Sequence, residues 1–134
     1  MVRAFDGVDR YTALLEGWLS HLKKRMATDE DASATPISKY WKKEIGDLSY
    51  VKGPLFLHVI ERLCGTDAFD GFLRNYIRAY RKDRGATFEN LQSELEAAWG
   101  TASRRCFSEW IHGAESSLHI DRAQSLMDLE REYA

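Results

Sequence analysis

Few residues in the chain have the type and spacing needed to hold a metal ion. Glu109 and His112 show the Glu-x-x-His spacing of di-iron helical bundles, but such a site needs two of these pairs and two further glutamates. The acidic run at 28–31 lacks the alternating ligands and the central glycine of a calcium-binding EF-hand loop. His58 has no ligand partner near it in the sequence, so we interpret it as a surface or packing residue. The sequence therefore predicts no metal site made by this chain alone.

Nucleophilic catalysis finds equally little support. Both cysteines, Cys64 and Cys106, lie within apolar helical patterns, which favours reduced thiols in the core over a disulfide or a reactive nucleophile. The chain contains no Gly-x-Ser-x-Gly sequence of the kind that presents a serine nucleophile.

The stretch from Ser49 to Gly65 organises the rest of the chain. Pro54 suits the first turn of a helix, and Gly53 before it allows the backbone to enter sharply. Apolar residues then recur at helical spacing on most sides, which is typical of a helix inside a core (Leu55, Phe56, Val59, Ile60 and Leu63). Gly65 is the expected stop. The pattern predicts a central helix over 53–64, with Tyr50 in a turn just upstream, where its side chain can point into a cleft.

This stretch, together with the helical patterns after it, resembles a known enzyme family. The Tyr50-x-Lys52-Gly53 motif precedes the apolar helix, and aromatic and apolar residues then recur through a second helix and beyond (Phe69, Phe72, Tyr76, Tyr80, Phe88, Phe107 and Trp110). This order resembles the gluzincin zinc aminopeptidases, the family of aminopeptidase N and leukotriene hydrolase. The resemblance covers approximately residues 8–113.

The resemblance implies roles for particular residues. Tyr50 matches the tyrosine whose hydroxyl hydrogen-bonds the oxyanion of the tetrahedral intermediate during peptide cleavage, and Lys52 and Gly53 complete that motif. Tyr40 and Trp41 fall where the family borders its substrate cleft, although core packing is an alternative role for both. The substrate implied is a peptide, cleaved at its N-terminus by a complete enzyme.

The chain departs from the family at the metal site. The family binds zinc through a His-Glu-x-x-His helix and a further glutamate, and no His-Glu-x-x-His occurs here. A catalytic zinc usually needs three protein ligands and an open position for water. We therefore expect a fragment or truncated relative of the catalytic domain, corresponding to the helical part after the zinc site. Such a chain should be inactive alone, with zinc present only if the missing part is present.

The composition of the chain disfavours nucleic-acid-binding and membrane-spanning proteins. The chain has 134 residues, of which 44% are hydrophobic and 30% charged, with a net charge of −2, as in ordinary globular domains. Basic clusters occur at 23–25 and on one face of the helix around 74–82, but the overall acidity disfavours nucleic-acid binding. No apolar run reaches the length of a membrane span and the N-terminus lacks an apolar signal core. We expect a soluble, cytoplasmic protein.

The fold class predicted is all-α, a single domain of five to six helices in a bundle-like lobe around the 53–64 helix. The core should span 8–113, beginning with a helix over 8–26, and a last helix should cover about 121–132 after a cap at Asp121. A short helical patch around 37–44 and an extended piece at 116–120 are also expected. Thr66, Thr87 and Gly100 should mark helix ends.

A second hypothesis is a non-catalytic helical interaction module. In this interpretation an apolar face, which the missing half would cover in a complete enzyme, is covered by a partner or a second copy. We expect any homodimer to form through the first helix or the 37–48 segment.

Overall fold

In a computed structural model that describes residues 8–42, 49–80 and 87–134, the chain is all-α, as predicted, with no strand among those residues. Eight α-helices, one 3₁₀ helix and one π-helix occur along the described chain: α1 (Val8–Thr28), α2 (Glu30–Ala34), the 3₁₀ helix (Ile37–Lys42), α3 (Ser49–Cys64), α4 (Thr66–Tyr80), α5 (Phe88–Trp99), α6 (Ser103–Phe107), the π-helix (Ser108–His112), α7 (Ser116–Arg122) and α8 (Leu126–Tyr133). The number exceeds the predicted five to six because α2 and α7 are short helices that the sequence pattern did not indicate.

Helix α3 is at the centre of the described fold. It packs against α1, the 3₁₀ helix, α4 and α8. Val59 and Ile60 are fully buried, and the ring of Phe56 meets Phe107 edge to face, with 5.4 Å between ring centroids. Trp110 from the π-helix lies 5.9 Å from the same ring. Aromatic contacts of this kind add to the burial of apolar area that stabilises the core.

Helix α3 begins four residues earlier than predicted. The Tyr50-x-Lys52-Gly53 segment forms the first turn of α3 and not a turn before it, and Pro54 lies inside the helix. Pro54 removes only the N–H that would bond to the carbonyl of Tyr50 in that first turn. Burial of Val51 stabilises the additional turn, so packing overrides the preference of proline for the first helical positions.

Gly65 both ends α3 and starts α4. Its φ of 93° is readily accessible only to glycine, and its carbonyl accepts a hydrogen bond from the N–H of Phe69 at 3.0 Å. Gly65 is therefore the N-cap residue of α4. The prediction that Thr66 caps this helix is wrong, since the Thr66 hydroxyl lies 3.4 Å from Glu61 Oε1 instead.

Helix α5 has both predicted ends. The Thr87 hydroxyl accepts a hydrogen bond from the N–H of Asn90 at 3.1 Å, and Gly100 ends the helix with a φ of 95°. Beyond it, the π-helix continues α6, and Cys106, Phe107 and Trp110 are buried.

The C-terminal part differs from the prediction. Residues 116–120 form most of α7 and are not extended, because the buried positions Ser116, Ser117 and Ile120 follow helical spacing. Asp121 lies within α7 and does not cap the last helix. Ser125 caps α8 by accepting from the N–H of Asp128 at 3.3 Å, so the last helix covers Leu126–Tyr133 and not 121–132.

None of the helices in the described part of the chain combines the length and the apolar character needed to cross a bilayer.

Candidate functional site

Tyr50, the residue matched to the aminopeptidase tyrosine, lies in the first turn of α3 and is 76% exposed. It does not line the cavity beside His58 or the cavity between α1, α2 and α7. Its hydroxyl is therefore presented at the surface, while the backbone that carries it is anchored by the buried neighbours Val51 and Lys52.

Lys52 has a different environment although it belongs to the same motif. Its side chain is fully buried, and Nζ lies 6.0 Å from the centroid of the Trp110 ring. Burial disfavours the charged ammonium, which lowers the pKa of Lys52 to about 8. Lys52 points into the core beside the π-helix, so it cannot share a solvent-facing site with Tyr50.

For the other predicted cleft residues, Gly53, Tyr40 and Trp41, the structure gives the helix in which each lies. Gly53 lies in the first turns of α3, and an added Cβ there would meet no atom within 4 Å outside the backbone of its own helix. Tyr40 and Trp41 belong to the 3₁₀ helix, which packs against α3 and the π-helix. The side chains of Tyr40 and Trp41 lie outside the described residues, so their predicted role in a cleft stays a prediction.

The described residues do not fit a zinc site. No group of three or more histidine, cysteine, aspartate or glutamate side chains converges in residues 8–42, 49–80 and 87–134. The two side chains of the Glu-x-x-His pair also contact different partners. Glu109 contacts Arg105 and His119, whereas the His112 ring contacts Gln92 at 3.0 Å.

A polar array that the sequence did not predict connects α1, α3 and α8. His58 Nδ1 lies 3.2 Å from the hydroxyl of Tyr11, and His58 Nε2 lies 2.8 Å from Glu130 Oε1. His58 is buried, and Arg62 Nε lies 3.6 Å from the same glutamate oxygen. Residues of the three helices line a cavity of about 500 Å³ beside this array, open to solvent on one side. The partners of His58 are 47 and 72 residues away in sequence, so no local motif could have indicated them.

A second polar array fixes the C-terminal helix to the π-helix. Glu109 lies 2.8 Å from His119 Nε2 and 2.7 Å from Arg105 Nε, and Arg105 also reaches Glu132 at 3.0 Å. The Arg105 guanidinium lies 4.7 Å from the centroid of the Tyr133 ring. The hydrogen bond from Arg105 lowers the pKa of Glu132, and burial raises the pKa of Tyr133. These contacts indicate a structural role, because each charge has a partner within the chain.

Comparison of the chain with family models, with characterised proteins and with solved structures gives no match.

Proposed function

We propose that this chain is the helical lobe of a zinc-aminopeptidase-type catalytic unit, a fragment or truncated relative that supplies Tyr50 while the metal is held by another part. The observation that supports this most is the position of Tyr50, which is 76% exposed at the start of the central helix, directly before the buried residues Val51 and Lys52. A hydroxyl held on a rigid element and open to one side can donate a hydrogen bond to a developing oxyanion.

The surface around Tyr50 supports a contact with a further part of the enzyme. Tyr50, Pro54 and Leu57 succeed one another along one side of α3, given 3.6 residues per turn. Leu57 is 36% exposed and Pro54 is half-buried. Exposed apolar surface of this kind marks contact surfaces. We infer that the metal-bearing part covers this stripe, hereafter the Tyr50 stripe, and that the substrate peptide lies between the two.

The proposal also covers the metal, the substrate and the cellular location of the lobe. Zinc would be absent from the isolated chain, the substrate would be the N-terminal part of a peptide, and neither nucleic acid nor membrane would be bound. A cytoplasmic location is part of the same proposal. Its support is that Cys64 and Cys106 are both free thiols, as is usual in a reducing compartment.

The first test uses the purified chain with added zinc. We expect no stoichiometric zinc by atomic absorption and no hydrolysis of a panel of fluorogenic aminoacyl substrates. Stoichiometric zinc together with turnover that is lost in Tyr50→Phe would overturn the idea that the metal is held elsewhere.

The second test identifies the part that covers the Tyr50 stripe. A photo-crosslinking amino acid replaces Leu57 in cells that make the protein, and a matched variant carries it at Arg78, which is exposed on α4. We expect capture from position 57 only, of a polypeptide that contains His-Glu-x-x-His and binds zinc. Capture of proteins without a zinc site, or equal capture from position 78, would contradict the proposal.

The second candidate function is a homodimeric interaction module, and the same stripe favours it, because an isologous dimer pairs one apolar patch with its own copy. The predicted dimer surfaces remain proposals. The described part of α1 carries no large apolar side chain that is exposed, and residues 43–48 lie outside the described chain. Analytical ultracentrifugation distinguishes the candidates, since a dimer that Leu57→Glu dissociates would favour the module.

A further inference from the structure

The cavity between α1, α3 and α8 has the size and the charge pattern of a ligand site. Its volume of about 500 Å³ falls within the range of about 300 to 1,000 Å³ typical of small-molecule pockets. Tyr11 and Glu16 come from α1, Arg62 from α3, and Leu126 and Met127 from the first turn of α8. The cavity lies apart from Tyr50, and the inference does not depend on the proposed function.

The array behind the cavity determines which hydrogen-bonding group Tyr11 offers. The Glu130 carboxylate can only accept, so in the neutral imidazole the proton of His58 lies on Nε2, 2.8 Å from Glu130 Oε1. Nδ1 must then accept, and the Tyr11 hydroxyl donates to it at 3.2 Å. Having directed its proton to Nδ1, the Tyr11 oxygen can only accept from a further group. With His58 neutral, the Tyr11 oxygen therefore favours a ligand that brings a hydrogen-bond donor.

Glu16 likewise favours a ligand that brings a hydrogen-bond donor. Its Oε1 accepts a hydrogen bond from the N–H of Leu126 at 3.0 Å, and a carboxylate has about four lone-pair positions in all. The charge of Glu130 is balanced by Arg62, whereas the partner of Glu16 is a neutral N–H. A ligand ammonium would satisfy the remaining lone pairs and balance the charge of Glu16.

Arg62, in contrast, favours a ligand that brings a hydrogen-bond acceptor. Its Nε is 3.6 Å from Glu130 Oε1, longer than a normal hydrogen bond, and its side chain is 61% exposed. A guanidinium has five N–H donors in a planar fork that matches a carboxylate. Leu126 and Met127, the latter 58% exposed, also line the cavity and give it an apolar part.

We propose that this cavity binds a free α-amino acid with an apolar side chain. The ammonium group lies between Glu16 and the Tyr11 oxygen, the carboxylate pairs with Arg62, and the side chain packs on Leu126 and Met127. The ligand class is inferred from the presence of an acceptor corner, a donor group and an apolar wall in one small cavity.

The test is a titration of the full chain monitored by amide chemical shifts, with L-leucine as the probe. Two analogues each lack one charge: 4-methylpentanoate has no ammonium, and 3-methylbutylamine has no carboxylate. We expect saturable binding of leucine with shifts centred on Tyr11, Arg62 and Met127. Each analogue should bind roughly 10- to 100-fold more weakly, as expected for the loss of one charge-assisted contact.

Two variants assign the charges to residues. Glu16→Gln keeps the acceptor for the Leu126 N–H, and it should weaken leucine binding while leaving 4-methylpentanoate unaffected. Arg62→Met should weaken leucine binding while leaving 3-methylbutylamine unaffected. Arg78→Met, an exposed change on α4, is the control and should alter neither. The proposal is overturned if leucine causes no saturable shift, if its shifts map outside the cavity, if both analogues bind as well as leucine, or if neither variant weakens leucine binding.

Discussion

At the scale of single residues, Lys52 is the clearest case in which burial alters chemistry. Its neighbour Tyr50 is largely exposed, whereas Lys52 is fully enclosed next to Trp110. Burial of an ammonium group is costly, and its pKa of about 8 expresses part of that cost. Nothing in the sequence distinguishes these two residues of the motif. The difference arises because α3 begins early and turns them to opposite sides.

Replacing Lys52 should change how stability depends on pH. The unfolded chain holds the lysine proton up to about pH 10.5 and the folded chain only up to about pH 8. Between these values the unfolded state binds more protons, so the contribution of Lys52 to stability rises with pH. Lys52→Met should therefore be more stable than the natural chain at pH 7, by up to roughly 3 kcal/mol, and the difference should shrink toward pH 10.5.

Urea unfolding at several pH values measures this difference, with Lys24→Met, an exposed position on α1, as the control. A Lys52→Met protein that is less stable by the same amount at every pH would show that the contacts of the ammonium outweigh its desolvation.

The two thiols should also differ in reactivity. Cys106 is buried, which raises its pKa to about 12, while Cys64 is only partly buried. Because the thiolate is the reacting form, iodoacetamide should modify Cys64 in the folded protein and Cys106 only after unfolding, as mass spectrometry can show. Equal labelling of both in the folded chain would mean that α6 opens readily.

At the scale of helices, the periodicity of apolar residues predicts α1, α4 and α5 well, because each has one face against the core. The errors fall where tertiary packing decides. Pro54 suggests a helix start, yet burial of Val51 extends α3 upstream. Alternating residues at 116–120 suggest a strand, yet Ser117 donates to the carbonyl of Ser33 at 2.6 Å, a contact 84 residues away in sequence. Sequence patterns do not encode such distant partners, and the His58 array was missed for the same reason.

Substitution by alanine should have opposite effects on stability at Gly65 and at Gly17. Gly65 has a φ of 93°, so Gly65→Ala should destabilise the protein by about 1–2 kcal/mol. Gly17 lies inside α1, where an added Cβ would meet nothing within 4 Å, so Gly17→Ala should stabilise it by about 0.5–1 kcal/mol. Denaturant midpoints for both variants test this, and a gain in stability from Gly65→Ala would contradict the assigned role of Gly65.

The cap of α5 gives a separate measure of helix stability. Thr87 accepts the N–H of Asn90, so Thr87→Ala should cost about 1 kcal/mol. Thr101→Ala, at an exposed threonine in a turn, should cost much less in the same thermal unfolding experiment. Similar losses for both variants would show that the side-chain cap contributes nothing specific.

At the scale of the whole molecule, the described helices bury a common hydrophobic core, whereas Tyr50 and Leu57 of the Tyr50 stripe are exposed. The sequence predicted the fold class and the centrality of α3. It could not predict that Tyr50 is exposed while Lys52 is buried, because that difference depends on where α3 begins.

The most direct test of this account is the rate of peptide hydrolysis by the complex captured through position 57, compared with the same complex carrying Tyr50→Phe. Loss of an oxyanion hydrogen bond should lower kcat and kcat/KM together, by about 10²- to 10³-fold, with little change in KM. If the Tyr50→Phe complex hydrolyses its substrates at an unchanged kcat, Tyr50 has no catalytic role and the lobe serves only as an interaction module.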